Sequence, residues 1–584
     1  MLKRLGLGLG LGALLLWPGI CAAQARPETR GALRAAISVQ TPEGEPLAAI
    51  EPGQPFAVVV ETQGAGGTPT PARLPLMGWL RLASPTDLSC AESAAAYRAT
   101  DQGPSDGIDL NRPVLGVLTE DDVLTVVDPE RSLASANILK ARRFDSRPAD
   151  IMADAANGRF LVSLPAEGRI MAQPPVGPLT EAFSGLDQPR TLTPAMGKGI
   201  AAKVREGLVL LDASGGQRPL KAARKLASGP DGAGAVLYAD RIELHAADGG
   251  EGAVIEAPGA LDLALSADAV IWLAPDGLHL AWRDAQGQRM AIPIEGGAGR
   301  LAVDPAGRFA FVFGGEMRGA LLVDLSQGRP AQRIAAHAEV AEIAFADDTA
   351  YLRLADQSMT GIIDLRLAGG EDPAPVGQFA MGDPMPASPD DQRLLVPLTP
   401  QPALLALHPG NYTAFRLDRT QASSNKPPMA ALVLRGGTPR QVAILNRGLV
   451  ETARGRFRTV TSLPGPGRYE LVLSAGIGQA SFCAMLPVAR PDKPEPRLAR
   501  LRAEPEADGY RLVLTDPQGG PGAYRHGRLT LSSLTGNWRD ARDFSSDARG
   551  RSPVIALPDG GPIIVTLSLA DGGEVAPLLL ENDR

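Results

Sequence analysis

Five histidines, at 245, 279, 337, 408 and 526, are scattered through the chain, and no two have HExxH or any other close paired spacing. A histidine-based metal site would therefore have to be assembled from distant segments. Neither CxxC nor CxxCH occurs, which removes dithiol redox chemistry and covalent c-type haem attachment. No P-loop is present. Ser423-Ser424-Asn425-Lys426 has the SxxK spacing of serine acylases. That motif works at the start of a helix in a packed site, whereas here Pro427-Pro428 follows it, and the match reads as chance in a linker. The Asp pairs 347–348 and 390–391 lack the alternating oxygen ligands and closing Glu of a calcium loop and read as polar turns. No catalytic residue, metal or cofactor is expected from these residues.

Cations form the one pattern with a chemical direction. Arg142, Arg143 and Arg147, then Arg190, then Lys221, Arg224 and Lys225, then Arg300, then His337 all fall in connections between strand pairs. On a chain of formal charge −7 such a rim suits an anionic ligand or an acidic partner. The same residues also suit ordinary solvated turns. The candidate ligand-binding set is Arg143, Arg147, Arg190, Arg224, Arg300 and His337. Asp plus Glu (65) exceed Lys plus Arg (58), which argues against a general nucleic-acid binder.

The elements that would position these residues are overwhelmingly strands. From about residue 100 the chain repeats a short apolar strand, an Asp/Gly turn and a second apolar strand. First strands begin near 114, 159, 199, 234, 269, 308, 349 and 393. A repeat near 40 residues with about four strands per unit is the pattern of a β-propeller. Eight pairs predict eight blades, or seven if the first pair belongs to the preceding domain. Ahead of the repeat, residues 26–100 read as a small β-domain with one helix over Leu88–Ala99, where Ser89 and Glu92 have capping-box spacing. After it, residues 429–490 and 497–584 read as two immunoglobulin-like sandwiches separated by Pro-rich linkers. The propeller itself is expected over 101–419, and the fold class is all-β.

Residues 1–25 have the layout of a secretory signal: Lys3-Arg4, an apolar run from Leu5 to Trp17, and Ala23-Gln24-Ala25 at the cleavage position. The run is shorter than the roughly 20 residues of a membrane span, so no span is expected in the mature chain. Removal of this segment takes Cys21 with it and leaves Cys90 and Cys483. In an oxidising compartment these two permit one disulfide, and the alternative is two separate buried thiols.

Trp79, Cys90, Asp109-Leu110-Asn111, Leu115–Leu118 and Val126-Val127-Asp128-Pro129 resemble a group of exported bacterial propeller proteins, the YVTN-repeat or cytochrome d1-like group. Gly467–Leu473 and Ser481-Phe482-Cys483 are similar to the last sandwich strands of the same group. The resemblance covers roughly residues 75–490 and implies a propeller fold and a periplasmic or secreted location. It implies no activity, since function lives in sites and not in folds. The expected function is a non-catalytic binding or scaffold module for another cell-envelope protein. The alternative is a periplasmic redox enzyme or electron-transfer accessory with a non-covalent cofactor in the propeller channel.

Overall fold

The computed structural model describes residues 33–580, apart from 65–66, 71–72, 84–87, 101–106, 130–137, 198, 213–214, 284–287, 387–391, 399–400, 412, 421–430, 435–436, 477–479, 490–498, 517, 534–538, 558–562, 571–574 and 577. The expected signal segment, Cys21, the SxxK match, Asp390-Asp391 and the Pro491–Pro496 linker lie outside the described residues. No helix among the described residues is long and apolar enough to cross a membrane.

The middle of the chain is a propeller-like succession of four-stranded antiparallel sheets. In the second sheet Asp150–Asp154 is the innermost strand, followed outward by Arg159–Leu164, Arg169–Gln173 and Thr180–Phe183. The next three sheets repeat this order from inner strands Leu192–Pro194, Lys225–Ser228 and Asp262–Leu265. The sixth and seventh share one continuous strand, Arg329–Ala346, whose first half is the outer strand of one sheet and whose second half is the inner strand of the next. Each sheet is apolar on both faces because each packs between two others. Phe311, Leu322, Ala350 and Leu352, for example, form one core between the sixth and seventh sheets.

The array closes through a strand from beyond the repeat. Pro439–Asn446 pairs with Pro113–Thr119 and becomes the innermost strand of the first sheet. Leu115 and Val117 of that sheet then share a core with Leu394, Val396 and Leu405 of the last. Pro439–Asn446 and Ala431–Val433 both fall within the sandwich expected over 429–490, and neither is part of one. The first belongs to the first sheet and the second pairs with Thr413–Asp418 of the last.

The expected N-terminal β-domain and first sandwich share their sheets. Arg34–Gln40 and Pro55–Gln63 are hydrogen-bonded into one sheet with Arg456–Ser462 and Val450–Ala453. Leu76–Leu82 lies between Tyr469–Ala475 and Ile108–Asp109 in the other, with Ala480–Met485 at its edge. Their facing sides form one core that includes Phe56, Val58, Leu80, Leu471 and Phe482. The propeller-like array is thus inserted into a sandwich built from both flanks. A separate pair of four-stranded sheets over 499–580 packs around Leu512, Leu529, Phe544 and Val565.

The helix spans Cys90–Thr100. Ser89 Oγ accepts from Glu92 N–H at 3.4 Å while Glu92 Oε2 accepts from Ser89 N–H at 3.0 Å, the reciprocal capping anticipated from the sequence. Cys90 and Cys483 form a disulfide with Cα atoms 5.8 Å apart, which pins the helix to the outer face of the second sandwich sheet. Arg81 reinforces the same seam: its guanidinium donates to Glu470 Oε2 at 2.6 Å, Ser93 Oγ at 2.6 Å and the Leu88 carbonyl at 3.2 Å.

Candidate binding face

Strands alternate in direction within each sheet, so two kinds of segment meet at one end of the array. These are the connections leading into each inner strand and the turns between second and third strands. The opposite end carries the turns after the inner strands, and there the sandwich is seated. Gly158, in the turn after Asp150–Asp154, lies against Val460 of the sandwich, and Ser462 Oγ donates to the Val176 carbonyl at 2.9 Å. All six cation candidates therefore sit at the end away from the sandwich.

At that end the inner strands are stitched together by buried polar side chains. Asp150 is 2% exposed, and its carboxylate accepts from the Leu192 N–H of the next inner strand at 2.7 Å and from Ile151 N–H at 2.8 Å. Gln441 Oε1 accepts from Ile151 N–H at 3.2 Å, Asp262 from Leu301 N–H at 2.8 Å, and Glu342 from Leu394 N–H at 3.0 Å. Arg393, just ahead of the last sheet's inner strand, reaches past the first sheet to Asp150. Burial pushes the Asp150 carboxyl up, against the opposing pull of Arg393 and the two N–H donors. Lys225 pairs with Asp262 in the neighbouring sheet.

The six candidates do not converge. Arg300 donates to the Ala341 carbonyl at 2.5 Å, with its guanidinium 5.5 Å from the Phe313 ring centroid, and so joins two sheets. Arg147 pairs with Glu120 at 2.8 Å. Arg143 ends the outer strand of the first sheet and is exposed. His337 lies where Arg329–Ala346 crosses between sheets, with Nε2 3.0 Å from Asp356 Oδ2 and 3.3 Å from Ser358 Oγ. Both partners meet the same ring nitrogen, which is not the arrangement of a hydrolytic triad, where acid and nucleophile occupy opposite nitrogens.

Arg190 and Arg224 lie at the same end of two adjacent sheets, the third and fourth, and the fold places further cations at that end. Arg190 N–H donates to the Lys203 carbonyl at 2.8 Å, so the exposed Lys203 side chain belongs to the same neighbourhood. Arg205 follows in the adjoining turn, and Lys221 and Arg224 flank the next connection. Among the described residues Arg190 and Arg224 have no carboxylate partner, and Arg205 has a loose one, Asp187 at 3.7 Å. Four of the chain's eight lysines fall between 198 and 225, a clustering visible in the sequence.

Inside the ring, inner strands of the fourth to seventh sheets line an opening of about 420 Å³ with Ala227, Ala264, Ala302 and Phe345, and with Ser228 and Asp304 toward one end.

No family model matches the chain, and no curated protein matches it. Solved structures with some likeness include Citrobacter koseri AztD, with 13% identity and a TM-score of 0.43, over 57% of this chain and 97% of that one. Kluyveromyces lactis Hsv2 gives 11% and 0.34 over 47% and 95%. The computationally designed Ika8 protein gives 11% and 0.39 over 59% and 97%.

Proposed function

We propose that the chain is an exported, non-catalytic eight-bladed propeller with immunoglobulin-like sandwiches, which holds an acidic segment of another cell-envelope protein. The eight-bladed reading is supported by the shared cores between consecutive sheets, with Pro439–Asn446 closing the first on the last. The binding reading rests on one observation: Arg190, Lys203, Arg205, Lys221 and Arg224 are all exposed at the same end of two adjacent sheets, the end away from the sandwich. Five cations against the two nearby carboxylates Asp187 and Glu206 leave an excess of positive charge, which an acidic chain laid across them offsets while being drawn in by long-range attraction.

A fluorescein-labelled oligoglutamate peptide is the probe, with anisotropy as the readout. Binding should weaken markedly between about 20 and 200 mM salt, where the screening length falls below about 10 Å. Replacing Arg190, Lys203 and Arg224 by Ala should weaken it by about tenfold or more. Replacing Arg143 and Arg147, elsewhere on the same end, should change it little. Absence of binding at low salt, or equal loss in both variants, would overturn the reading. Intact-mass measurement of the protein exported by its own host tests the signal cleavage after Ala25.

A further inference from the structure

One position, just ahead of the inner strand, is made equivalent in successive sheets by the backbone alone. Its N–H donates to a carbonyl of the second strand: Arg190 to Lys203 at 2.8 Å in the third sheet, and Arg224 to Leu237 at 2.7 Å in the fourth. In the fifth Leu261 donates to Leu273 at 2.7 Å, and in the sixth Gly299 donates to Phe313 at 3.2 Å. The bond satisfies the backbone whatever the side chain is, so the sheet does not dictate the residue type here. The third and fourth sheets present exposed arginine, and the fifth presents leucine. Leu261 is 50% exposed, whereas Ala260 before it and Leu263 after it are buried.

Arg224 and Leu261 occupy adjacent places, because the residues that follow them, Lys225 and Asp262, form an ion pair between the two inner strands. The inner strands of the third and fourth sheets are also joined, by Ser228 Oγ donating to the Pro194 carbonyl at 2.8 Å. Arg190, Arg224 and Leu261 are thus a row along three consecutive sheets. Packed sheets stand about 10 Å apart, so the row is about 20 Å long, and an extended segment covers it in about six residues.

Beside Leu261 the open cations give way to carboxylates. Asp240, Glu256 and Asp276 are all exposed around the connection 257–260, where Ala257 N–H donates to the Asp240 carbonyl at 2.9 Å. Arg241 pairs with Asp240 at 3.2 Å. Arg300, one sheet further on, is engaged with the Ala341 carbonyl and the Phe313 ring. An acidic side chain carried as far as Leu261 would meet like charge, while an apolar one would take leucine surface out of water.

We infer that the acidic segment held by the basic group carries an apolar side chain at one end of its acidic run, and that this side chain packs on Leu261. This rests on the basic face binding an acidic segment, and it names what that segment must carry besides its charge.

The test compares two fluorescein-labelled peptides on the full chain by anisotropy, a hexaglutamate flanked by serine and the same hexaglutamate flanked by leucine. Flanking both ends covers either chain direction. The leucine-flanked peptide should bind about fivefold more tightly or better, as burial of part of one leucine side chain gives. Both affinities should fall between about 20 and 200 mM salt while their ratio holds, since salt screens the charges and not the apolar contact. Leu261→Ser should bring the leucine-flanked peptide to the level of the serine-flanked one and leave the latter unchanged. Leu367→Ser, at an exposed leucine after the third strand of the seventh sheet, should keep the parent ratio. Thermal melting checks that Leu261→Ser folds, with Leu261→Gln as the second variant. Equal affinities for the two peptides, or a leucine preference that survives both substitutions at 261, would overturn this inference and leave the basic face standing. Failure of the serine-flanked peptide to bind at low salt would remove both.

Discussion

Arg393→Ala should open the ring where its last sheet is tied to its second. Asp150 is 2% exposed and would keep two donors, Leu192 N–H and Ile151 N–H, but lose its cationic partner. Removing one member of a buried pair commonly costs about 3–5 kcal/mol. The Arg393 side chain is 39% exposed, so water enters its place in part, and about 2–3 kcal/mol is the expected loss near neutral pH. Protonation sets a ceiling. Taking an Asp with an unfolded pKa of about 3.9 to its neutral form at pH 7 costs about 4 kcal/mol, and at pH 5 only about 1.5 kcal/mol. The sign follows from the raised folded value, since the folded variant then binds its proton more tightly than the unfolded chain. Its stability relative to the parent is best below the unfolded pKa and worsens as pH rises through the folded one. A chain with several packed units need not unfold in one step, so the assay is local: hydrogen exchange at Ile151 and Leu192, with thermal melts at pH 5 and pH 8. Asp150→Asn on the Arg393→Ala background should restore part of the loss. A variant that melts like the parent, a deficit equal at both pH values, or no rescue by Asp150→Asn would refute the reasoning.

Two further outcomes are expected. Replacing Cys90 and Cys483 together by Ala should lower stability by about 2–5 kcal/mol and speed exchange in the helix Cys90–Thr100, while the parent, unfolded without reductant, should show no free thiol at these two positions. Gly158→Ala should cost about 1–3 kcal/mol and expose the sandwich seam to protease, because φ is +62° and a Cβ would stand 2.8 Å from the Val460 carbonyl oxygen; unchanged melting and proteolysis would contradict this.

What could be read in the sequence was what repeats locally. Second strands are buried on both faces along most of their length and appear as short apolar runs; Ala269–Ala274 is buried throughout, and its expected position is its observed one. Inner strands are three to five residues long in several sheets, such as Leu192–Pro194, and outer ones are polar, such as Gln217–Lys221, so neither has a strong pattern. The pair expected from residue 393 is an inner and second strand, Leu395–Pro397 and Ala403–His408, one step out of phase with the others. The shared sandwich was invisible for a different reason. Pro55–Gln63 alternates like any half-buried strand, and nothing in its pattern names Arg456–Ser462 as its partner across the whole inserted array. Arg190 and Arg224 stood out because they precede inner strands. Lys203 and Arg205 lie on a strand end and a turn, and they join the group only through the pairing that sets Arg190 beside Lys203.

Insertion decides which end of the ring is available. The chain runs from the sandwich strand Ile108–Asp109 into the first sheet at Pro113 and leaves it at Asn446, next to the sandwich strand Val450–Ala453, so both crossings lie on one side. That side is fixed by the sandwich, by Val460 over Gly158 and by Ser462 on Val176. The other end is tied instead by side chains such as Asp150, Asp262, Glu342, Gln441, Lys225, Arg300 and Arg393. Exposed residues there that make none of these ties are open to change with little cost to the ring, which is where binding residues accumulate on a rigid scaffold. The basic group on the third and fourth sheets lies at this end.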